Sequence, residues 1–423
     1  MFLPDTDITE ALQSEIDRLA AQGGGEVLVP SGAYQLRAIQ LRSYVCLHLQ
    51  AGARLRFSGR KEDYPPVGYE HNEMGEVHAA IFAMGARCVT IKGEGEIDLN
   101  GTSFYDPSDP DTLDSLGPQV TPEHLSEAPR RYSWRLNQPL FFHECTDVRI
   151  EGIRIVDSPC WTITFNLCRN VTARGLTIAN SLVIPNSDGV HCCGCRDVII
   201  TGCHVVAGDD CVALSSITDW DRACENVIIS DCIFQSASKA LSVGYMHSIV
   251  RNVLINNVVV KRSNRAYVTM CHPRTGLVEN VRVSNCYLEG RSYAGNWWGN
   301  GEPIVVMVTP HHLAQNRDPQ PADRFEPCVR NITFSSVVCR GERPVGMVAE
   351  GPGLTENLQL VNCTVEIVPE ERPSLKGNTI DLAPGPQNLE IPDARARVIN
   401  RHADLRLCNV TNERGEAIEA RTV

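Results

Sequence analysis

The chain has 423 residues and a formal net charge of −12. This charge argues against a nucleic-acid partner and against an anionic membrane surface, since both would repel it. The longest apolar runs, such as residues 304–308, are far shorter than the roughly 20 residues that a membrane span needs. The length exceeds one ordinary globular core, and frequent glycines and β-branched residues favour strands, so an elongated β architecture is expected.

The N-terminus, MFLPDTDITEAL, lacks a basic start followed by an apolar stretch and a small-residue cleavage site. No secretory signal is therefore predicted, although a mature secreted chain that had lost one would look the same. Without a signal, the 18 cysteines of a chain this long indicate a reducing compartment rather than a set of disulfides. We expect a cytoplasmic protein.

A short N-terminal helix is predicted to cap the chain. Asp7 is followed three residues later by Glu10, an arrangement similar to a capping box, and glycines 23–25 end the helical pattern. Apolar residues recur at helical spacing between these signals. They are Ile8, Leu12, Ile16 and Leu19.

A repeat begins near Cys145. Each copy has a small or apolar residue, a variable residue, Asn or Asp, and then a strand pattern that starts with an apolar residue. Those apolar residues lie 23 to 29 residues apart, except for one gap of 51 that predicts a further coil disguised by insertions. They are Val148, Val171, Val198, Val227, Val253, Val281, Ile332 and Leu358. Strands at this spacing without helical patterns between them predict an all-β, right-handed parallel β-helix.

The repeat predicts the domain organisation and the turns. Residues 1–384 are expected to form a single β-helix domain with its N-terminal cap. Beyond Pro384 the repeat fades, so residues 385–423 are expected to form a C-terminal extension that packs on the last coils, with a hairpin around residues 413–415. The Asn or Asp before each strand suits a turn, since these residues tolerate a left-handed backbone.

Cysteines occupy two positions of the repeat, and stacked coils would place each set in an inward ladder of small apolar side chains. The first set is Cys145, Cys168, Cys195 and Cys224; the second is Cys203, Cys232, Cys286 and Cys363. The alternative is a metal cluster. Because residues 192–195 (CCGC) have no second pair at zinc-site spacing, we predict no metal site.

Three acids interrupt an apolar segment: Asp188, Asp209 and Asp210. Asp188 and Asp209 lie a little less than one coil apart, so they are expected to stack about 4.8 Å apart on adjacent coils. Gly208 permits a bend that would bring Asp210 to the same surface. Carboxylates this close cannot all ionise; one should become a general acid while another activates water. The alternative is that they only cap turns, as the repeated residue Asp197 does.

Residues 186–189 (NSDG) and 208–210 (GDD) resemble the N-x-D and G-D-D motifs of glycoside hydrolase family 28, the polygalacturonase group. The stretches GGGEVLVPSGAY, LHLQAGARLRFSG, GEGEIDLNG and PCWTITFNLCRNV also resemble that family's repeats in their usual order, so the resemblance covers roughly residues 5–370. It implies a right-handed β-helix that hydrolyses glycosidic bonds with inversion and without a cofactor. Asp209 would be the general acid, and Asp188 and Asp210 would hold and deprotonate the water.

Two motifs of that family are missing. Where the family has G-H-G, this chain reads SKA at residues 238–240, and where it has R-I-K, the chain reads VTM at residues 268–270. In the family, the Arg and Lys bind the carboxylate of galacturonate, which Val268 and Met270 cannot do. The hydrolytic acids are therefore expected, whereas the identity of the bound sugar is open.

Other residues are candidates for substrate binding. Arg265 or Arg274 could bind a carboxylate through two hydrogen bonds. Trp297 and Trp298 lie in a polar loop, where their indoles could stack on sugar rings or only cover the coil, and Glu302 could bond sugar hydroxyls. The complete set is Asn186, Lys239, Tyr245, Arg265, His272, Arg274, Trp297, Trp298 and Glu302. Further pocket walls are expected from His311, His312 and residues 105–139, which include Trp134.

Long segments on both sides of the acids predict a closed pocket and attack at a chain end. The expected function is an inverting, exo-acting glycoside hydrolase whose partner is an oligosaccharide derived from pectin or a related plant polysaccharide. One alternative is a β-helix polysaccharide lyase, with calcium held by the three aspartates and Lys239 as the base. Another is a carbohydrate-binding solenoid without catalytic activity. The sequence leaves the sugar, the linkage and the oligomeric state open.

Overall fold

The computed structural model describes residues 2–104, 132, 134–295, 297–310, 324–371, 373–385, 387–393 and 395–423. Three long parallel sheets dominate these residues, and the chain visits sheet 1, sheet 2 and sheet 3 in turn before it begins the next coil. The predicted right-handed parallel β-helix is confirmed. Within the described ranges, no helix combines the length and the apolar character that a membrane crossing requires.

Sheet 1 has 12 strands: Gly25–Val29, Val45–Leu49, Arg87–Gly93, Thr146–Glu151, Arg169–Arg174, Arg196–Thr201, Ala223–Ser230, Ile249–Asn256, Leu277–Ser284, Val329–Ser335, Thr355–Val361 and Leu405–Cys408. Sheet 2 has 11: Gly32–Leu36, Ala53–Phe57, Glu96–Asp98, Arg154–Val156, Thr177–Ala179, His204–Ala207, Ile233–Ser236, Val259–Ser263, Tyr287–Gly290, Val338–Gly341 and Thr364–Ile367. Sheet 3 has 12: Ile39–Gln40, Ile81–Met84, Leu140–His143, Ile163–Asn166, Val190–Cys193, Val212–Ser215, Lys239–Val243, Arg265–Cys271, Glu302–Val308, Val345–Ala349, Val398–Arg401 and Arg421–Thr422.

Small elements flank the three sheets. The N-terminal helix is Thr9–Ala21, and short 3₁₀ helices are Lys61–Asp63 and Gly101–Phe104. Two antiparallel pairs lie outside the coils. They are Pro66–His71 with Gly75–His78, and Thr379–Ile380 with Leu389–Glu390.

The eight aligned apolar residues of the repeat stack directly on one another in sheet 1. Val148 is the register partner of Val171, and each later member partners the next one as far as Leu358. The long gap between Val281 and Ile332 contains no additional coil, because these two residues are direct partners. That expectation was wrong: one coil carries the whole insertion, in segments on either side of its strand Glu302–Val308.

A column of Asn and Asp side chains runs across sheet 1, at the residue directly before each aligned apolar residue of the repeat. These residues have positive φ angles, as at Asn226 (59°) and Asn252 (57°), which an Asn accepts more easily than most residues. The side-chain amide of Asn252 donates to Oδ1 of Asn226 at 3.1 Å, and the amide of Asn280 donates to Oδ1 of Asn252 at 3.2 Å. Each turn is therefore tied to the one before it, which fixes the register of the coils.

The interior is filled by stacked apolar side chains, and the predicted inward cysteine ladders are part of it. Both sets of cysteines are buried, and all 18 cysteines are free. The thiols of Cys168 and Cys195 each donate to a backbone carbonyl of the preceding coil at 3.2 Å. Burial raises the pKa of both thiols well above the ordinary value, so they behave as small apolar groups.

The N-terminal helix covers the first coil, with Leu12 and Ile16 fully buried beneath it. Asp7 accepts a hydrogen bond from the backbone N–H of Thr9 at 2.8 Å, whereas the carboxylate of Glu10 lies 3.4 Å from the guanidinium of Arg37. The predicted capping box is therefore not formed, since Glu10 pairs with the adjacent coil instead.

The C-terminal residues contribute to both sheet 1 and sheet 3. Strand Leu405–Cys408 extends sheet 1, and strands Val398–Arg401 and Arg421–Thr422 extend sheet 3. An antiparallel bridge between Thr411 and Ala417 closes a turn at the place where a hairpin was expected. The repeat thus continues structurally beyond the point at which its sequence pattern fades.

Removal of one side chain from the Asn column should destabilise the solenoid. We expect Asn252→Ala to lower the free energy of unfolding by about 1–2 kcal/mol, because Ala is strained at this positive φ. Asn252→Gly removes the same hydrogen bonds but relaxes the backbone, and it should be about 1 kcal/mol more stable than the Ala variant. Chemical denaturation of both variants tests this, and equal stabilities would contradict the role of the backbone.

Candidate active site

The turns between sheet 2 and sheet 3 bring acidic and basic residues to the same level on successive coils. Asp188, Asp210 and Lys239 each lie two residues before sheet 3 positions that pair in register. The backbone N–H of Gly189 donates to the carbonyl of Asp210 at 2.7 Å, and that of Cys211 donates to the carbonyl of Lys239 at 3.1 Å. The residue stacked on Asp188 is therefore Asp210, not Asp209 as the spacing alone suggested.

Asp209 is presented by a tight turn that requires a glycine before it. The N–H of Gly208 donates to Oγ of Ser187 at 2.9 Å, and a Cβ at Gly208 would overlap the carbonyl oxygen of Ile184. On the other side, Oγ of Ser236 donates to the carbonyl of Asp209 at 2.6 Å. These contacts hold the turn between two coils and place Asp209 beside Asp210.

Lys239 joins the two adjacent aspartates. Its Nζ lies 3.2 Å from Oδ1 of Asp209 and 2.9 Å from Oδ1 of Asp210, and all three side chains are largely buried. The three aspartates thus meet at one place, together with a cation that compensates part of their charge.

Burial and neighbouring charges give the three carboxyls different proton affinities. Burial raises the pKa of Asp188 well above its ordinary value, and the charge of Asp209 adds to this effect. Burial also raises the pKa of Asp210 well above the ordinary value, although the Lys239 cation opposes the change. Burial opposes ionisation of Asp209 as well, but Lys239 and hydrogen bonds from Asp210 and Ser238 outweigh it and lower the pKa of Asp209.

The three carboxyls therefore differ in proton affinity: burial favours the protonated forms of Asp188 and Asp210, whereas Lys239 favours the ionised form of Asp209. The resemblance to family 28 instead makes Asp209 the general acid. Because Asp210 and Asp209 are hydrogen-bonded to each other, they titrate as a pair and their proton is shared between neighbours.

His191 belongs to the site and was missed by the sequence analysis. Its Nδ1 lies 3.0 Å from Oδ2 of Asp188 and its Nε2 lies 3.1 Å from Oγ of Ser215. The indole of Trp161 stacks on the imidazole with 3.8 Å between ring centroids. His191 therefore orients the Asp188 carboxyl, whose Oδ1 has no hydrogen-bond partner among the described residues. The signal was a histidine at an outward position of the apolar strand Val190–Cys193, which the motif comparison passed over.

The carboxyls open into a cavity of about 270 Å³, slightly below the roughly 300–1,000 Å³ that is typical of small-ligand sites. The hairpin residue Glu73, also missed because it comes from a distant part of the chain, forms one edge. The lining residues are Glu73, Trp161, Pro185, Asn186, Asp188, His191, Asp209, Asp210, Ala213, Leu214, Ser215, Ser238, Lys239, Ser242, Tyr245, Trp297 and Trp298.

Five of the residues predicted to bind substrate line this cavity. Tyr245 and Trp298 have nearly parallel rings with centroids 6.3 Å apart, and Nζ of Lys239 lies 4.4 Å from the centre of a Trp298 ring. Trp297 is buried in the same wall. The fifth, Asn186, lines the cavity while its Oδ1 accepts a hydrogen bond from Arg135 at 2.6 Å.

Arg265 and Glu302 lie behind this wall, which corrects their predicted contact with substrate. Both side chains are 0% exposed. Nη2 of Arg265 donates to the carbonyl of Asp381 at 2.7 Å, and the Glu302 carboxylate accepts backbone N–H groups of Asn300 at 2.6 Å and Asp381 at 2.7 Å. They continue the column of Asp188, Asp210 and Lys239, but on coils that a later part of the chain covers.

His272 and Arg274 lie at the opposite end of the sheet 3 strands and do not line the cavity, which corrects two further expectations. Nδ1 of His272 is 2.6 Å from Oγ1 of Thr275. Nε of Arg274 lies 3.6 Å from the Glu326 carboxylate, and half of the Arg274 side chain is exposed. Both belong to the turn that leads from sheet 3 back to sheet 1.

Only some of the residues expected to form further cavity walls lie within the part of the chain that the structure describes. His311, His312 and residues 105–131 lie outside the described residues. Trp134 does not line the cavity; its ring lies 6.5 Å from that of Tyr64 and 5.6 Å from that of Phe104, so it packs near the N-terminal coils.

A segment from outside the repeat, residues 376–391, covers sheet 3 on the coils after Lys239; we call it the C-terminal cover. Residue 386 of the cover lies outside the described residues. The cover packs four apolar side chains on the outer face of sheet 3: Ile380, Leu382, Leu389 and Ile391. Val268 and Met270, which replace the cationic pair of the family motif, are buried in this apolar cluster.

The cover also fixes the tryptophan loop. Nζ of Lys376 donates to the carbonyl of Trp297 at 2.6 Å and pairs with the Asp381 carboxylate at 2.6 Å. The side-chain amide of Asn300 donates to the carbonyl of Thr379 at 2.7 Å. The wall that carries Trp297 and Trp298 is therefore held by the C-terminal part of the chain.

Similarity to known proteins shows to which family this chain belongs. The sequence profile of glycosyl hydrolases family 28 matches residues 21–295, which include all three aspartates. The chain belongs to this family. The match ends before the C-terminal cover, so family membership rests on the coils that build the acid cluster.

Individual relatives agree with this assignment. A "Probable polygalacturonase" of Vitis vinifera is 28% identical over 225 residues, and one of Arabidopsis thaliana is 36% identical over 204 residues. These alignments cover 51% and 47% of this chain and 42% of each relative, so the chain spans about half or less of the curated relatives it matches.

Solved structures of other proteins have the same fold as this chain. It superposes on an exopolygalacturonase of Thermotoga maritima with a TM-score of 0.63 at 21% identity, covering 96% of this chain and 88% of the other. For a family 28 exopolygalacturonase of Yersinia enterocolitica, the TM-score is 0.60 at 17% identity, with coverages of 99% and 76%. The likeness extends over nearly the whole length of this chain.

The ion pairs of Lys239 make a specific prediction. Lys239→Met keeps a side chain of similar length but leaves Asp209 and Asp210 without their cation. The variant should therefore have a free energy of unfolding lower by about 3–5 kcal/mol at neutral pH. The lowered pKa of Asp209 stabilises the folded wild type above the ordinary Asp pKa, and this contribution is lost as pH falls. The difference between wild type and variant should therefore shrink in acid.

Denaturation curves measured at several pH values check this prediction. A control combines Lys239→Met with Asp209→Asn, which removes the uncompensated charge and should recover part of the lost stability. A difference between wild type and Lys239→Met that does not change with pH would argue against charge pairing as its cause.

Proposed function

We propose that this protein is an inverting glycosidase that removes sugars from the end of an oligosaccharide derived from pectin or a related plant polysaccharide. The observation that carries the proposal is the meeting of Asp188, Asp209 and Asp210 in one cavity, with pKa values driven in opposite directions. A pair of carboxyls with different proton affinities is what acid–base hydrolysis requires.

In the proposed reaction a water molecule attacks the anomeric carbon as the bond from that carbon to the glycosidic oxygen breaks. A protonated carboxyl gives its proton to the leaving oxygen, and an ionised carboxyl takes one proton from the water. We retain Asp209 as the acid and Asp188 with Asp210 as the pair that holds the water. The hydrogen bond between Asp210 and Asp209 offers a route for the proton to reach Asp209.

The shape of the cavity supports action at a chain end. The C-terminal cover occupies the outer face of sheet 3 on the coils after Lys239, and the tryptophan loop that it holds forms the adjacent wall. On the opposite side, Trp161, Pro185 and Glu73 close the cavity. A chain that crosses several coils would meet these walls, whereas a terminal sugar can enter between them.

Variants of the three aspartates separate the proposed roles. The general acid should matter little for a substrate with a good leaving group, so Asp209→Asn should lose about 10²–10⁴-fold on an oligosaccharide but far less on the corresponding glycosyl fluoride. Asp188→Asn and Asp210→Asn should lose activity on both substrates. If Asp210→Asn rather than Asp209→Asn were spared on the fluoride, the acid would be Asp210, as the pKa directions suggest.

Product analysis tests the mode of cleavage. With pectic oligosaccharides labelled at the reducing end, we expect single sugars to be released successively, and proton NMR should show the first product with an anomeric configuration opposite to that of the bond cleaved. Random internal fragments would contradict exo action. Products with ultraviolet absorbance from a conjugated double bond would indicate a lyase. If the wild-type protein cleaved none of these substrates, a carbohydrate-binding solenoid without catalytic activity would be the remaining interpretation.

A further inference from the structure

We infer that the sugar bound beside the three aspartates is uncharged: a neutral hexose, pentose or deoxy sugar rather than a uronic acid. This inference rests on the proposed hydrolysis and specifies its substrate. It follows from the charges that line the cavity, from the contacts of Lys239 and Arg265, and from the aromatic and apolar residues of the remaining walls.

The cavity is rich in carboxyl groups. Glu73, Asp188, Asp209 and Asp210 all line it, and among the described lining residues Lys239 is the one lysine or arginine. Protonation of Asp188 or Asp210 reduces the negative charge, but the lining acids still outnumber the one lining cation, so a sugar carboxylate would enter a site with an excess of acidic groups. Negative groups in a partly buried site repel one another more strongly than they do in bulk water.

The ammonium group of Lys239 is already paired with two carboxyls of the protein. Its Nζ is within 3.2 Å of Asp209 and 2.9 Å of Asp210, and the ring of Trp298 lies 4.4 Å away. A sugar carboxylate could bind this ammonium only if it competed with two carboxyls of the same protein.

Among the described residues, the coils after Lys239 add no cation to the lining of the cavity. Ser242, which lines the cavity, is the register partner of Val268, and Val268 is buried with Met270 beneath the C-terminal cover. Arg265 follows Lys239 in the column, but its guanidinium faces Asp381 at 2.7 Å from the carbonyl and 3.3 Å from the carboxylate. Arg265 is fully buried and therefore does not meet the sugar.

The remaining walls suit an uncharged ring. Trp161, Trp298 and Tyr245 contribute aromatic surface to the lining of the cavity, and Ala213 and Leu214 add apolar surface. A neutral sugar can place its C–H groups against these walls while its hydroxyls bond to the carboxyls, which accept hydrogen bonds. A uronic acid would lose the hydration of its carboxylate without a matching cation.

Hydrolysis of a mixed substrate pool tests this inference. Partial acid hydrolysis of whole pectin yields oligosaccharides with neutral and with uronic acid ends, and the monosaccharides that the protein releases can be separated by charge and identified by mass. Because like-charge contacts cost several kcal/mol, neutral sugars should be released at least about 100-fold faster than uronic acids. Asp209→Asn serves as the control for contaminating activity.

The outcomes separate the inference from the proposed function. Release of neutral sugars supports both. Release of uronic acid at a comparable rate overturns the inference while the proposed hydrolysis stands. If wild type releases no sugar at all, the proposed hydrolysis is overturned and the inference falls with it.

A variant of Ser242 provides an independent test. Ser242→Lys places a second cation in the wall three residues after Lys239, and Ser242→Met adds a side chain of similar length without charge. The Lys variant should raise uronic acid release relative to neutral release at least about tenfold over the Met variant, as expected if one charge contact changes. Equal ratios in the two folded variants would overturn the inference, and thermal unfolding confirms that both are folded.

Discussion

In-register stacking of the coils is the constraint on which the remaining structure depends. Each strand pairs with the equivalent strand of the next coil, so one position of the repeat becomes a continuous column in space. The position two residues before the paired core of sheet 3 is occupied in succession by Asp188, Asp210, Lys239, Arg265 and Glu302. Acids and bases follow one another in this column, and their charges offset each other within a buried environment.

The same column serves two purposes along its length. On its first three coils the outer face is open, and the carboxyls reach a cavity where proton transfer is useful. On the next two coils the C-terminal cover lies over sheet 3, and the buried pair of Arg265 and Glu302 anchors that cover through Asp381. The coils that reach the cavity and the coils that anchor the cover therefore differ in whether the C-terminal cover lies over them, not in their own structure.

Much of the solenoid could be predicted because each coil repeats a local pattern: the eight apolar residues from Val148 to Leu358 are direct partners. The gathering of the three aspartates was equally accessible from their spacing. A one-residue difference in turn length decided that Asp210 stacks on Asp188, which periodicity alone does not resolve. The burial of Arg265 and Glu302 was out of reach, because the segment that covers them lies outside the repeat.

The C-terminal cover has a consequence for the order in which the cavity is completed. A ribosome makes the coils that carry the aspartates before it reaches residue 376, so a partly synthesised chain can arrange its acids while the flank formed by Val268 and Met270 is still bare. Only the final portion of the polypeptide shields that flank and anchors the tryptophan loop. A nascent molecule therefore exposes this apolar flank until the segment that covers it has been synthesised.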